Sequence, residues 1–216
     1  TFLFVVGNAM SFSFKKINTW SNTKFFTKTF KRAALIFLIG LGLTYYPFVR
    51  RVEGEFILKN ILDIRIMGVL QRIAICYLLA SIAIRFLKKK WLVVLSIFIL
   101  LFYWFLLLFY GGSDPYSLEA NAALKFDQLI FNEENVYHGF GIPFDPEGLF
   151  SCLPAVVNVI FGYLAGAFIQ QSANKKKLVV QFILGGLAMI ALALAWDLYL
   201  PINKPIWTST YVILST

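Results

Sequence analysis

The sequence predicts an all-α, polytopic membrane protein, a helix bundle with five complete and two partial membrane helices. Three observations lead there. Of the 216 residues, 59% are hydrophobic and 14% charged, whereas a soluble domain carries about 25% charged residues. Apolar runs long enough to cross a bilayer, which takes around 20 residues, follow one another along the chain. The connections between them alternate in charge. The basic segments 15–32, 85–90 and 172–177 are expected in the cytoplasm under the positive-inside rule. The acidic segment 111–148 is expected outside.

Taken in order, Thr1–Phe14 is apolar but too short to cross alone, and reads as the end of a helix. Lys15–Arg32 holds Lys15, Lys16, Lys24, Lys28, Lys31 and Arg32 with no acid, and reads as a cytoplasmic loop. Ala33–Val49 is the next span, with Gly40 and Gly42 placed to admit a close neighbour. Arg50–Ile66 is a connection of mixed charge. Met67–Phe86 is a helix that ends in Lys88-Lys89-Lys90, and Trp91–Tyr110 is an aromatic-rich span facing lipid on much of its surface. Gly111–Gly148 holds seven acids against one lysine, Lys125, and forms an extracytoplasmic loop. Leu149–Gln171 carries Gly162 and Gly166, the small-xxx-small spacing of packed membrane helices. Lys175-Lys176-Lys177 marks the return to the cytoplasm, and Leu178–Leu200 crosses outward. After the turn Pro201–Pro205, the chain re-enters at Ile206. A single domain spans 1–216, and its ends read as cut, so the chain is expected to be internal to a longer protein.

The net charge of +9 would suggest nucleic acid in a soluble protein. Basic cytoplasmic connections account for it here, so the expected partner is the lipid bilayer and no nucleic acid. Cys76 and Cys152 fall in apolar helices at no metal-binding spacing and read as packing residues. No Gly-rich phosphate loop, metal cluster or Ser/His/Asp signature is present, and no metal is expected.

Asp63–Arg72 stands out, because it takes Gln71 and Arg72 into the apolar run Ile73–Ile84. An arginine within hydrocarbon costs about 2.5–3.5 kcal/mol on insertion scales and normally faces protein or water. On a continuous helix Arg65 and Arg72 share nearly one face, roughly 10 Å apart along the axis. The expected topology brings this stretch level with His138, Asp145 and Glu147, and with Asp197, Asn203, Lys204 and Trp207. Two readings stay open at this point: a lattice of ion pairs that holds helix ends together, or a ligand site. His138, the only histidine, is a general-base candidate by chemistry and a solvated loop residue by position. Asp145 and Glu147 stand where a helix N-terminus favours acids, so capping would also account for them.

Three stretches together resemble the heparan-alpha-glucosaminide N-acetyltransferase family and its bacterial NagX-like relatives. They are Arg65–Arg72 (RIMGVLQR), Phe144–Leu149 (FDPEGL) and Pro201–Thr208 (PINKPIWT), and Phe2–Met10 is similar to the family's second helix. The resemblance implies a transmembrane acyltransferase that moves acetyl from acetyl-CoA to an amino sugar or envelope glycan on the extracytoplasmic side, in the bacterial inner membrane. It makes Arg65, Gln71, Arg72, Asp145, Glu147, Asn203, Lys204 and Trp207 candidate substrate- or cofactor-binding residues. Lys15, Lys16, Lys31 and Arg32 become candidates for a cytoplasmic nucleotide contact, and a homodimer is an open possibility. Met67 stands where the family usually has proline, which should leave the helix entry straighter. The family's catalytic histidine belongs upstream of Thr1, so His138 does not inherit its role, and this stretch alone is not expected to be active. A sugar or solute transporter is the alternative, since an intramembrane arginine also suits a translocation path. A non-catalytic scaffold subunit is the third reading.

Overall fold

A computed structural model describes residues 2–17, 19–52 and 54–216, apart from the side chains of Lys15, Arg50 and Val52. The nucleotide contact considered for Lys15 therefore lies outside the described residues. The fold is an all-α bundle of α1 (Phe2–Ile17), α2 (Asn22–Tyr45), α3 (Val69–Phe86), α4 (Lys89–Tyr110), α5 (Ala122–Gln128), α6 (Cys152–Gln171), α7 (Lys175–Asp197) and α8 (Ser209–Ser215). One antiparallel hairpin, β1 (Val49–Val52) with β2 (Glu55–Leu58), joins α2 to α3, in the register Val49 to Leu58. Helices α3, α4, α6 and α7 are long and apolar enough to cross a membrane.

The fifth expected span, Ala33–Val49, is only the second half of a longer helix. α2 begins at Asn22, where Ser21 caps it by accepting from the Lys24 amide. The basic stretch expected as a loop is thus mostly helical, because Lys and Arg are good helix formers. Charge had pointed to a side of the membrane, which does not decide conformation. At its other end α2 stops at Tyr45, since the residue before Pro47 is held out of the helical region.

The helix α6 is the axis of the bundle, and the glycines decide how closely α1 approaches it. A Cβ on Gly7 would overlap the Val159 carbonyl, and one on Gly162 would overlap the Phe4 carbonyl. A Cβ on Gly166 would meet Ser11. The expected small-residue spacing on α6 is therefore used, and α1 is the partner. Gly40 similarly gives room to Gln71, while Gly42 faces open space, so only one of that pair serves an approach. Gly7→Ala is expected to destabilise the protein by about 1–3 kcal/mol, the usual cost of overpacking. A Gly42→Ala control should cost nothing and should gain the roughly 0.5–1 kcal/mol that alanine adds in a helix interior, as read by thermal unfolding in detergent.

Around this axis α1, α2, α3 and α6 share a core that includes Phe14, Phe25, Tyr77 and Ile160. On α4 the buried positions Leu92, Ser96, Ile99, Tyr103 and Leu107 make one stripe, and most of the remaining surface is open, as expected for lipid. The returning segment is tied to α4 by Tyr103 Oη donating to the Ile206 carbonyl (2.6 Å) and Ser209 Oγ donating to that of Leu100 (2.7 Å). These bonds satisfy polar groups that have no water to turn to. Helix ends sort by charge: Lys24, Lys88–Lys90 and Lys175–Lys177 lie at one end, the basic end, and 111–148 lies at the other, the acidic end.

Candidate functional site

Arg65 does not lie on a helix with Arg72. The chain is extended from Ile64 to Gly68 and turns helical only at Val69, so the straight entry expected at Met67 is not what forms. Asn135 accounts for this. Its backbone carbonyl accepts from the Ile66 amide (3.0 Å), and its Nδ2 donates to the carbonyls of Leu62 (2.5 Å) and Ile64 (3.0 Å). Those bonds hold the segment as an extended strap against the acidic loop.

Both arginines nonetheless reach the same turn, Phe144–Gly148. Arg65 donates through Nε and Nη2 to both carboxylate oxygens of Asp145 (2.8 and 2.6 Å), and through Nη2 to Glu147 (2.5 Å). Its guanidinium also lies 4.7 Å over the Tyr137 ring. Burial alone would lower its pKa, but the bonds and charges of Asp145 and Glu147 outweigh that and raise it above its usual value. Asp145 Oδ1 also accepts from the Glu147 amide (2.9 Å), which closes the turn. This part matches the ion-pair lattice.

Arg72 is different. Only 3% of it is exposed, and among the described residues it has no carboxylate partner. Its Nη2 donates to the Pro146 carbonyl (2.6 Å) and to Ser151 Oγ. The guanidinium lies 4.3 Å over the Trp207 ring. Nε and Nη1 are buried without a partner among the described residues. A buried cation with two unused donors is costly unless something fills the position. Beside it is a cavity of about 240 Å³ lined by Leu3, Arg72, Glu147, Lys204, Trp207 and Tyr211, among others. Two cations, one carboxylate and three aromatic rings, Phe2 among them, thus face a space suited to a small anionic or sugar-like group. A larger cavity of about 720 Å³ between α6, α7 and α8 is apolar and lined by no charged residue, so it is the weaker place for chemistry.

Trp207 is held by its own bonds. Its backbone φ of 54° is an uncommon conformation for a bulky residue, of the kind that clusters at functional sites. Its amide donates to the Lys204 carbonyl (3.1 Å), and its Nε1 donates to Asn158 Oδ1 (3.2 Å). Asn158, buried in α6, turns its Nδ2 to the Val212 carbonyl (3.2 Å) and so fixes α8 as well.

Of the expected binding residues, Arg72, Glu147, Lys204 and Trp207 therefore meet at one cavity. Arg65 and Asp145 stand behind it as the brace of the turn. Gln71 is buried against Gly40 and Gly68 with Nε2 unpartnered. Asn203 is consumed by structural bonds: Nδ2 donates to the Tyr116 carbonyl of the acidic loop (3.2 Å), and Oδ1 accepts from the Ile206 amide of its own turn (3.4 Å). His138 is exposed, with Nδ1 3.1 Å from the Val136 carbonyl, and lines no part of the cavity. Sequence reasoning missed Ser151, Asn158 and Tyr211. Asn158 left a readable signal, a lone amide in an apolar helix, which in a membrane marks a cross-helix bond.

It also missed Asp127 on α5. This side chain is buried and accepts from the Phe150 amide (3.1 Å), so it holds the turn that leads into α6. Burial pushes its carboxyl up to about 6, with the nearby charge of Asp145 adding to the rise. Between its ordinary value of 3.8 and about 6, only the folded form holds this proton. Its contribution to stability therefore falls as pH rises from about 4 to about 6, by on the order of 3 kcal/mol, and is flat above. Asp127→Asn is expected to remove that slope, as read by urea unfolding across this range.

The chain matches no family model and no curated protein sequence.

Proposed function

We propose that this chain is part of a transmembrane acyltransferase that moves an acetyl group from acetyl-CoA to an amino sugar or envelope glycan. The transfer takes place at the acidic end of the bundle. The proposed orientation puts 111–148 in the periplasm of a bacterial inner membrane protein, with the basic segments in the cytoplasm. The motif resemblance supports this reading, and one structural observation carries it: Arg72 keeps two buried donors free beside a cavity that Glu147 and Lys204 also face.

The chemistry assigns roles. The Arg72 guanidinium, with Lys204, holds negative charge, either a phosphate or carboxylate of a substrate or the oxyanion that forms on the thioester carbonyl. Glu147 accepts from a sugar hydroxyl or ammonium. The amine attacks the thioester carbon, the new C–N bond forms, the C–S bond breaks, and coenzyme A leaves on its sulfur. The proton lost by the amine needs a general base. No histidine lines the cavity, and in this reading the base is the upstream histidine that the resemblance implies.

The test is the full-length protein in liposomes with labelled acetyl-CoA and glucosamine. Acetylated sugar is the expected product. Failure to bind acetyl-CoA and to form that product would overturn the proposal. Accumulation of sugar inside the vesicles without acetyl-CoA would assign the cavity to transport instead.

A further inference from the structure

We infer that the β1–β2 hairpin is a membrane-interface anchor that completes the span α2 cannot make alone. The inference does not depend on the transfer reading. The uncharged part of α2, Ala33–Tyr45, is about 20 Å long at 1.5 Å per residue. The hydrocarbon layer is about 30 Å thick. Roughly 10 Å of apolar thickness at the acidic end is left for the residues that follow.

Those residues are built for that depth. Leu35, Leu38 and Leu43 make α2 apolar on its open side, and the exposed surface continues without a polar break into Tyr46 and Phe48. Phe48 packs its ring against Tyr45 and Tyr46 at centroid distances of 5.1 and 5.8 Å. Aromatic side chains of this kind gather where headgroups meet hydrocarbon. All four residues of β2 are exposed, with Phe56 at 75% and Leu58 at 71%. Phe56 and Leu58 alternate to the same face, which they share with their partners Arg51 and Val49, and the long stem of an arginine lets its charge reach back to headgroups. Ile61 and Leu62 extend the apolar patch beyond the hairpin.

Depth is bounded from the other side by the backbone. A two-stranded hairpin has two unpaired edges, and hydrocarbon leaves such groups unsatisfied. Arg51, Glu55 and Lys59 likewise need water, and Lys59 Nζ already turns to the Tyr46 carbonyl (3.3 Å). The position that suits both demands is the interface, with Phe56 and Leu58 dipped into the acyl boundary and the charged groups reaching for headgroups.

The experiment places one environment-sensitive fluorophore at Phe56→Cys and, as an aqueous control, at Glu134→Cys, in full-length protein in liposomes. The native Cys76 and Cys152 are buried and do not compete for label. Phe56 is exposed, so its replacement leaves the core intact. The expected result is a blue-shifted emission at position 56, quenched by lipids spin-labelled near the headgroup and shielded from iodide, with the reverse at 134. Iodide quenching at 56 equal to that at 134 would overturn the proposal. Shielding at 56 with no lipid quenching, and energy transfer between labelled copies, would overturn it in favour of a protein interface.

Discussion

Arg72→Met is expected to weaken ligand binding roughly thirtyfold or more while destabilising the unliganded protein by about 2–5 kcal/mol. The opposing contributions cancel only in part. The substitution removes the donations to Pro146 and Ser151, and hydrogen bonds to charged groups contribute about 1.5–3 kcal/mol each. It also removes the guanidinium stacked on Trp207, a contact of about 2 kcal/mol when desolvated. Against this, it relieves a buried charge with two unused donors, whose insertion alone costs about 2.5–3.5 kcal/mol. Methionine fills most of the same volume and adapts to gaps.

Binding has no such cancellation. Truncating one partner of a buried hydrogen-bonded charge pair costs about 2–5 kcal/mol, or roughly thirtyfold and upward in affinity. Arg72→Lys should fall between, since it keeps the charge and loses the planar fork. The measurement is thermal unfolding of the full-length protein in detergent with and without acetyl-CoA, whose binding raises apparent stability by mass action. The wild-type protein should shift, and Arg72→Met, still folding cooperatively at a lower midpoint, should shift far less. A collapse of the midpoint with no ligand shift in the wild type would make Arg72 a clamp between α3 and α6 and nothing more.

The contrast between the two arginines also shows what a sequence can and cannot reveal in a membrane protein. The helices α3, α4, α6 and α7 were legible because a bilayer demands long apolar runs, a requirement almost independent of tertiary structure. Arg72 was legible for the same reason, as an expensive exception. Arg65 was assigned to the same helix by extending one periodicity through Gly68. The extended strap forms instead because Asn135, some seventy positions away, supplies backbone partners that no local pattern announces. Asn203 has the residue type of a ligand and the surroundings of a turn, and the hydrogen bonds of the turn prevail. Ser151 and Tyr211 reach the Arg72 site only through the crossing of α3, α6 and α8. Which face of α6 meets α1, by contrast, was written in Gly162 and Gly166, because only a missing Cβ lets two backbones touch.

Arg65→Met should destabilise the protein by about 3–5 kcal/mol, the cost of breaking a buried pair from one side. Three bonds to two carboxylates are lost together, and the Asp145 side chain is only 1% exposed. Asp145 and Glu147 would then face each other without a cation, two positions apart in one turn. Solvent tempers the loss at the Glu147 side, which is 21% exposed, so the Asp145 half should dominate. The double variant Arg65→Met with Asp145→Asn tests this, because removing the stranded charge should recover much of the stability despite deleting one more native group. The same turn carries the Pro146 carbonyl and leads to Ser151, both acceptors of Arg72. Ligand affinity should therefore fall with Arg65→Met and return in part with the double variant, a coupling that an isolated surface pair would not produce. An unchanged midpoint in Arg65→Met would value the pair at about 0–1 kcal/mol, the ordinary worth of an exposed salt bridge. The turn would then be held in place by Arg72 reaching it from α3.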